Sequence, residues 1–440
     1  MSRVQSFPRR FAIRMLLALI APLALVASLT LPAVAADSAD RPNVLMILGD
    51  DQAWNHYGFM DHPTIQTPHL DRLASQSVTY TRGYVPASLC RPSLATIITG
   101  LYPHQHKITG NDPAGKDKFS QVREEQIAHI DKVPTLPRML AEQGYVSLQT
   151  GKWWEGNYRR GGFTRGMTRG FPEPGGRHGD DGLKIGREGL GPIREFLDWA
   201  DERPWLIWYA PFMPHTPHNP PERLLKKYTD KTDSIHVARY WAMCEWFDET
   251  IGELLGELDK RGQSDDTIVL FVTDNGWIQR TDAGRYAPRS KRSPHEGGIR
   301  TPIMVRWPGH AEPRRDEIHL ASSIDLAPTV LDACGLEPTN AMQGVSLLDA
   351  EAVAAREAVF GDIYRHDCHD IHHPPVDLQY RWCIDGWWKL IWPNQPVAPT
   401  EHIELYNLKD DPHERTNLAE EHPERVDALK GKIDAWWPAE

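Results

Sequence analysis

The chain has 440 residues, which is enough for one large α/β domain with an appendage. Its formal net charge is -11, and no long basic run follows the N-terminus, which argues against a protein that binds nucleic acid non-specifically. An anionic small-molecule substrate is not excluded, because a local basic pocket can exist in an acidic protein.

The N-terminal residues 1–36 predict a secretory signal peptide. Four arginines precede an apolar run from Met15 to about Leu31, and the small residues 33–36 follow as a cleavage pattern. An uncleaved membrane anchor is the alternative, but the run is short and contains Pro22, and no later run is long enough to span a bilayer. We therefore expect an exported protein, periplasmic or secreted, without a stable membrane span.

Four short apolar runs predict strands that are buried on both faces of a sheet. They lie at residues 42–49, 144–150, 204–210 and 267–273. Helix-like stretches alternate with them, at residues 68–77, 136–143, 192–200 and 237–261. This alternation predicts an α/β fold with a mostly parallel central sheet flanked by helices.

Polar side chains follow each of the four predicted strands. They are Asp50 and Asp51 after the first, Lys152 after the second, His215 after the third, and Asp274 with Asn275 after the fourth. Ligands of such sheets bind outside the carboxyl ends of the strands, so we expect these side chains to converge in one site.

The pattern changes after about residue 346. Short strands separated by turns, and a terminal helix from about Pro423, predict a smaller antiparallel α+β subdomain over residues 347–440. Residues 41–346 then form the catalytic domain. Two irregular stretches lie within it: residues 156–191, a candidate part of the substrate cleft, and the basic residues 281–300.

Cys90 precedes a helix-like run that has Pro92 in its first turn. The amides of a helix N-terminus favour negative charge there, so Cys90 is either a nucleophile in an anion pocket or a half-buried structural thiol. The other four cysteines, Cys244, Cys334, Cys368 and Cys383, allow one or two disulfides.

The residue types at the strand ends indicate a metal-assisted ester hydrolase. Asp50, Asp51, Asp274 and Asn275 offer only oxygen ligands, which suit Ca²⁺ or Mg²⁺ rather than Zn²⁺. Lys152 and Lys291 are candidate anion binders, and His215 is a candidate general acid. Such a set suits an ester of a tetrahedral oxyanion.

The chain resembles the type I sulfatases of the alkaline-phosphatase superfamily from Asn43 to about Leu418. The resemblance is carried by an ordered set of motifs: residues 43–51, Cys90-Arg91-Pro92-Ser93 with Thr99-Gly100, Thr150-Gly151-Lys152-Trp153, Pro214-His215-Thr216-Pro217, Thr273-Asp274-Asn275-Gly276, and Lys291 with residues 296–302. Residues 404–408, Asp411-Pro412 and Asn417-Leu418 resemble the C-terminal end of the family.

The resemblance implies a sulfatase mechanism with named residues. Cys90 would be converted by a formylglycine-generating or sulfatase-maturing enzyme to formylglycine, whose hydrate is the nucleophile. Asp50, Asp51, Asp274, Asn275 and the modified Cys90 would hold Ca²⁺. Lys152 and Lys291 would bind sulfate oxygens, and His215 would protonate the leaving alcohol.

The sequence departs from the family pattern at two positions. Leu94 stands where the family usually has an arginine that the modifying enzyme recognises, and Arg91 is a candidate to compensate. Trp154 stands where the family usually has a histidine that assists the elimination step. The complete metal-ligand set is nevertheless present.

The expected substrate is a small-molecule or glycan sulfate ester. His366, Asp367 and His369 belong to a polar cluster between two C-terminal strands and are candidate substrate contacts. Two alternatives remain: a phosphate or phosphonate ester hydrolase of the same superfamily, and a non-catalytic protein that binds sulfated glycans.

Overall fold

A mostly parallel sheet of eight strands forms the centre of the protein. The computed structural model describes residues 41–115 and 119–439, so the predicted signal peptide lies outside the described residues. The strands are β1 (Asn43–Gly49), β2 (Val78–Tyr80), β3 (Gly83–Tyr84), β4 (Asp112–Pro113), β5 (Val146–Gly151), β6 (Arg165–Gly166), β7 (Trp205–Ala210), β8 (Thr267–Thr273), β9 (Ile303–Arg306), β10 (Arg314–Asp316), β11 (Ala321–Ser322), β12 (Ala358–Tyr364), β13 (Asp367–Cys368), β14 (Leu378–Asp385), β15 (Trp388–Pro393) and β16 (Glu404–Asn407).

Helices cover the sheet on both sides. They are α1 (Pro68–Ser75), α2 (Cys90–Thr99), α3 (Pro103–His106), α4 (Phe119–Ile127), α5 (Leu136–Ala141), α6 (Gly191–Ala200), α7 (Glu222–Leu225), α8 (Ile235–Arg261), α9 (Glu296–Ile299), α10 (Leu326–Ala333), α11 (Ala350–Ala355) and α12 (Pro423–Trp436). Short 3₁₀ helices lie at Gly58–Met60, Ile130–Lys132, Tyr158–Gly161, Asp180–Lys184, Ser323–Asp325 and Pro374–Asp377.

The strand order of the large sheet is β10-β2-β9-β8-β1-β7-β5-β6. The four strands that the sequence predicts are β8, β1, β7 and β5, which are adjacent in this sheet and parallel to one another. Only β9 runs antiparallel to its neighbours β2 and β8. The predicted fold class is therefore confirmed.

The central strands are apolar throughout because both of their faces are covered. In β1, Val44 and Met46 face the core cluster that contains residues of α2 and α10. Leu45 and Ile47 face the opposite cluster, which contains residues of α1, α6 and α8. Each such side chain contributes about 1.5–3 kcal/mol when it is fully buried, so β1 strongly stabilises the sheet.

The C-terminal region contains the predicted antiparallel sheet, in the order β12-β14-β15-β16. Trp382 and Ile391 on one face join the core of the large sheet, and Trp382 Nε1 donates a hydrogen bond of 3.2 Å to the Pro86 carbonyl. Leu390 on the other face packs with Ile433 of α12. The small sheet thus shares a core with the large one, and the domain boundary at residue 346 stays a prediction.

The chain turns sharply at the end of β5. Gly151 has a φ of +75°, and a Cβ atom at this position would lie 1.7 Å from the carbonyl oxygen of Ala210 in β7. The next amide, of Lys152, donates a 2.7 Å hydrogen bond to that same oxygen. Glycine is therefore required for Lys152 to fold back against the end of the sheet.

A buried ion pair fixes α2 to the segment that follows β5. Arg91 Nε and one terminal nitrogen lie 2.7 and 2.6 Å from the two carboxylate oxygens of Glu155, in a bidentate arrangement. The side chains are 0% and 4% exposed. Leu94, three residues further along α2, is buried in the apolar core.

Cys90 and the other four cysteines have free thiols in this structure, so the disulfides that the sequence allows are not formed. Within residues 41–115 and 119–439, no helix combines the length and the apolar character needed to cross a bilayer.

We predict that Gly151→Ala destabilises the protein far more than Gly144→Ala. Both glycines have a positive φ, but a Cβ atom at Gly144 would meet nothing within 4 Å. The strain of the left-handed backbone, about 1–2 kcal/mol, is common to both variants, and the clash with Ala210 adds about 1–3 kcal/mol in Gly151→Ala. Urea unfolding followed by circular dichroism measures the difference, and equal losses would contradict the packing described for Gly151.

We also predict that Glu155→Gln lowers the free energy of unfolding by about 3–5 kcal/mol, because it leaves the Arg91 guanidinium buried without a carboxylate. The matched control is Glu253→Gln, which removes an exposed partner of Arg194 and changes stability by about 1 kcal/mol or less. Thermal and urea unfolding of both variants tests this pair, and a Glu155→Gln protein as stable as the control would refute it.

Candidate active site

The side chains predicted to form the site converge in one cluster at the carboxyl edge of the large sheet. They come from the ends of β1, β5, β7 and β8, from the start of α2 and from the basic stretch before α9. The members are Asp50, Asp51, Cys90, Lys152, His215, Asp274, Asn275 and Lys291.

The acidic residues meet because β1 and β8 are paired in register, with Gly49 opposite Thr273. The backbone amide of Asp51 donates to Asp274 Oδ1 over 3.2 Å, and Asn275 Nδ2 donates to Asp51 Oδ1 over 2.6 Å. Asp50, Asp51, Asp274 and Asn275 are all buried. Parallel pairing of the two strands thus places three carboxylates and an amide in contact.

Two ammonium groups contact these carboxylates. Lys152 Nζ lies 2.7 Å from both oxygens of Asp50 and 3.5 Å from Asp274 Oδ2. Lys291 Nζ lies 2.6 Å from Asp51 Oδ1 and 3.0 Å from Cys90 Sγ. Both lysines are buried, so these charge-assisted contacts are stronger than they would be in water.

The pKa values show that the two ammonium groups do not balance the three carboxylates. Burial alone would raise the pKa of Asp50, but Lys152, His215 and Lys291 hold it below its ordinary value. Burial and the charge of Asp50 raise the pKa of Asp274 to about 8. Full ionisation of the cluster at neutral pH therefore requires additional positive charge.

The donor atoms fit a hard divalent cation. Asp50, Asp51, Cys90 and His215 each offer one ligand atom, and these atoms lie within 4.8 Å of one another. Asn275 Oδ1 is buried, and no residue among those described donates a hydrogen bond to it. A buried acceptor beside three carboxylates provides the coordination that Ca²⁺ and Mg²⁺ prefer.

Cys90 is the first residue of α2 and is buried against the cluster. Its Sγ lies 3.9 Å from Asp50 Oδ1. Burial raises the pKa of the thiol well above its ordinary value, although Lys152 and Lys291 oppose the shift. At neutral pH the side chain is therefore a protonated thiol, which is a weak nucleophile.

His215 follows β7 and points an imidazole nitrogen at the cluster. Its Nδ1 lies 2.6 Å from the carbonyl oxygen of Thr216, which requires the proton on Nδ1. Its Nε2 lies 3.3 Å from Asp51 Oδ2. Burial lowers the pKa of His215 to about 4, so the ring is neutral at pH 7.

A cavity of about 310 Å³ opens from Cys90 towards solvent, and we call it the site pocket. Its size is typical of a pocket for a small molecule or one sugar unit. Among the described residues, its wall contains many basic and aromatic side chains but no carboxylate: Cys90, Asn111, Trp154, Arg177, His178, His215, Thr216, Trp277, Gly284, Arg285, Tyr286, Lys291, Arg292 and His366.

Of the three predicted substrate contacts, only His366 lines the site pocket. Asp367 lies beside it, with a carboxylate oxygen 2.6 Å from His366 Nδ1. His369 Nδ1 lies 2.7 Å from Asp377, and His369 is not part of the pocket wall. Contacts between substrate and any of these residues stay predictions.

The sequence did not single out several residues of the wall. Trp154 was noted only as a departure, yet its ring meets His178 edge-on, with 5.2 Å between centroids. His178 Nδ1 is buried and has no partner among the described residues, and burial lowers its pKa to about 3. Arg177 lies over Trp154 and pairs with Asp112. Arg177 and His178 belong to the irregular stretch 156–191, and the only sequence signal for them is the expectation that this stretch forms part of the substrate cleft.

Solved structures with the same fold cover almost the whole chain. One is a structure in complex with its substrate, D-glucosamine-2-N,6-O-disulfate, at 18% identity and a TM-score of 0.68, covering 91% of this chain and 98% of that one. Another is the phosphonate monoester hydrolase of Agrobacterium radiobacter, at 19% identity and a TM-score of 0.67, covering 90% and 95%.

Curated relatives are more similar in sequence. The N-acetylgalactosamine-6-sulfatase of Canis lupus familiaris is 28% identical over an alignment of 358 positions, gaps included, that covers 72% of this chain and 67% of the relative. The N-acetylgalactosamine-6-O-sulfatase of Bacteroides thetaiotaomicron is 23% identical over an alignment of 503 positions, gaps included, that covers 90% of this chain and 93% of the relative. The chain thus spans about two thirds of the length of the mammalian relative.

Two family models match the chain. The C-terminal model of N-sulphoglucosamine sulphohydrolase matches residues 284–435, which include the small sheet and all of α12 except its last residue. The sulfatase model matches residues 42–336, which include every member of the cluster. With that match over more than half of its length, the chain belongs to the sulfatase family, which comprises sulfuric ester hydrolases.

Proposed function

We propose that the protein hydrolyses a sulfate ester of a sulfated sugar, with a bound Ca²⁺ and a formylglycine formed from Cys90. The observation that carries this proposal is the single buried cluster in which Cys90, three carboxylates, two lysines and His215 meet below a cationic pocket. An ester with an anionic head group is the ligand class that this arrangement favours.

Asp50 and Asp51, which belong to the group of ligand atoms within 4.8 Å of one another, would hold the cation together with Asp274 and with Asn275 Oδ1, which has no partner among the described residues. Ca²⁺ is the better candidate, since it accepts flexible oxygen coordination whereas Mg²⁺ demands nearly ideal octahedral geometry. The metal would supply Lewis-acid stabilisation of negative charge on the sulfuryl oxygens.

The surroundings of Cys90 favour a mechanism in which this residue is modified over one in which the thiol itself attacks the substrate. The buried thiol is protonated at neutral pH, and Lys291 Nζ, 3.0 Å away, is placed to donate to an oxygen at this position. Formylglycine would supply a hydrated aldehyde, whose hydroxyl beside a metal is a better nucleophile than a neutral alcohol and whose second hydroxyl allows release of sulfate by elimination. A maturing enzyme would then be a necessary partner during export.

The remaining residues of the cluster have separate tasks in this proposal. Lys152 and Lys291 would bind the sulfuryl oxygens. His215, whose Nδ1 proton is held by the Thr216 carbonyl, would take up on Nε2 the proton that the attacking hydrate hydroxyl loses and pass it to the leaving oxygen, so the ring ends neutral as it began. His178 has a neutral imidazole in the same pocket, with a buried nitrogen that has no partner among the described residues, so it would offer a hydrogen bond to the hydrate beside Trp154, while its lowered pKa disfavours uptake of a proton.

The charge of the cluster favours sulfate over phosphate monoesters. Two ammonium groups and a divalent cation exceed the three carboxylates by one positive charge. A sulfate monoester carries one negative charge and neutralises that excess, whereas a phosphate monoester carries nearly two at pH 7. The mostly basic pocket wall and the sugar sulfatases among the relatives support a sulfated sugar as substrate. The signal-peptide pattern at the N-terminus supports export.

We predict that mass spectrometry of the natively expressed protein finds formylglycine at residue 90, and that Cys90→Ala abolishes hydrolysis of 4-nitrophenyl sulfate. The control is Cys244→Ala, which removes another buried free thiol, remote in sequence from the site motifs, and should keep the activity. We expect kcat/KM for the sulfate to exceed that for 4-nitrophenyl phosphate and for a phenylphosphonate ester by about 10-fold or more, which corresponds to about 1.4 kcal/mol.

Each alternative gives a different result in this experiment. An unmodified thiol in an active enzyme would overturn the formylglycine mechanism. Faster cleavage of the phosphonate ester would favour a hydrolase of that class, and binding of sulfated sugars without any turnover would favour the non-catalytic protein.

We further predict that Ca²⁺ stabilises the chelator-treated protein, by about 2.7 kcal/mol at a concentration of 100 times its Kd. Asp274→Asn should lose this shift, because it removes a carboxylate from the centre of the cluster. Asp282→Asn is the control, since Asp282 is exposed and pairs with Arg280. Thermal unfolding with and without Ca²⁺ or Mg²⁺ is the measurement, and a shift that survives in Asp274→Asn would place the cation elsewhere.

A further inference from the structure

A second cavity, of about 440 Å³, adjoins the site pocket, and we call it the side pocket. Its wall is formed by Thr216, Pro217, His218, His236, Arg239 and Gly284. Thr216 and Gly284 also line the site pocket. Because the two cavities share these residues, one extended ligand can occupy both.

The ionisable side chains in the wall of the side pocket are all basic. They are His218, His236 and Arg239, and no carboxylate in the described part of the chain lines the cavity. Among residues 41–115 and 119–439, no carboxylate oxygen lies within 4.0 Å of the Arg239 guanidinium. By contrast, Arg223 on the nearby helix α7 forms two hydrogen bonds to Glu249. The charge of Arg239 is thus available to a ligand.

His218 adds an unused hydrogen-bonding group. Its Nε2 is buried and has no partner in the described part of the chain. The ring is fixed between Tyr240 and Trp277, with centroids 5.3 and 5.9 Å away, and Trp277 also lines the site pocket. An unpaired buried nitrogen is unfavourable, so a ligand oxygen that pairs with it gains affinity.

Positive charge continues from the side pocket to the mouth of the site pocket. Arg285 follows the shared Gly284 and lines the site pocket together with Arg292. Gly284 itself leaves room at the junction, because a Cβ atom there would meet only His236, at 3.7 Å. Because the net charge of the whole chain is -11, this concentration of basic groups makes the region around the two pockets more positive than the average surface of the protein.

We propose that the side pocket binds a second anionic group, a carboxylate or a sulfate, on the sugar unit next to the one whose sulfate ester occupies the site pocket. This inference rests on the proposed function and narrows its substrate class to oligosaccharides with anionic groups on adjacent units. Arg239 supplies the charge, and His218 and His236 supply hydrogen bonds to the same group or to neighbouring hydroxyls.

The test compares two probes that differ in one charge. The first is a disaccharide of a hexuronate linked to 6-O-sulfated N-acetylgalactosamine, and the second is the methyl ester of its carboxyl group. Calorimetry measures their Kd for the calcium-loaded Cys90→Ala protein, and turnover of the same probes is measured with the unmutated enzyme. We expect the free acid to bind about 10-fold more tightly, which is the scale of a hydrogen bond to a charged group.

Arg239→Ala, in the same Cys90→Ala background, should bring the ratio of the Kd of the methyl ester to the Kd of the free acid close to one. Arg223→Ala should leave this ratio unchanged. A third probe, with a sulfate in place of the carboxylate, distinguishes the two anionic groups. Equal binding of acid and ester, binding of neither, or a ratio unchanged by Arg239→Ala would overturn the proposal. Charge-selective binding without sulfate release from any probe would refute the hydrolytic function but support the side pocket.

Discussion

The buried contact between three carboxylates and two ammonium groups is the interaction on which the rest of the structure depends. Removing charges from water is unfavourable by several kcal/mol per ion unless each charge is paired with good geometry. Pairing of β1 with β8 brings Asp51 and Asp274 together whether or not their charges are balanced. The fold must therefore deliver Lys152 and Lys291 to this edge of the sheet with little freedom to move.

The elements around the cluster satisfy that requirement. The left-handed turn at Gly151 directs Lys152 back over the sheet. The bidentate pair between Arg91 and Glu155 ties the first turn of α2, and with it Cys90, to the segment that carries Lys152. Apolar packing on both sheet faces supplies the stability that offsets the cost of burying so many charges.

The sequence determined the central part of this picture because two simple rules apply there. Continuous apolar runs identify strands buried on both faces, and parallel strands align their carboxyl ends, so Asp50, His215 and Asp274 could be placed together before the structure was considered. Residues on irregular segments could not be placed in this way. Arg177 and His178 reach the site pocket through tertiary packing that leaves no periodic signal, and His369, chosen for its composition, is held by Asp377 outside the site pocket. Arg239 lies on the predicted helix α8, but the helical pattern does not reveal that its side chain lines the side pocket.

The two departures from the family pattern have physical consequences that the motif alone does not reveal. Leu94 packs in the apolar core, so the site is not anchored from that position. Arg91 cannot act freely on a substrate either, because Glu155 occupies its guanidinium. Its role is to hold α2 in place. At the second departure, Trp154 lines the site pocket, and the His178 and Trp154 rings meet edge-on.

The distribution of charge also orients a ligand before it binds. A polyanionic glycan is repelled by most of a surface whose net charge is -11, and it is attracted where Arg239, Arg285 and Arg292 face solvent around the two pockets. Salt screens this long-range field over about 8–10 Å, whereas the buried lysine and carboxylate contacts below are screened much less. For the proposed oligosaccharide substrate, capture of the glycan and recognition of its ester would therefore depend on different charges, and the outer arginines could set the choice of glycan without altering the cluster that would contact the ester.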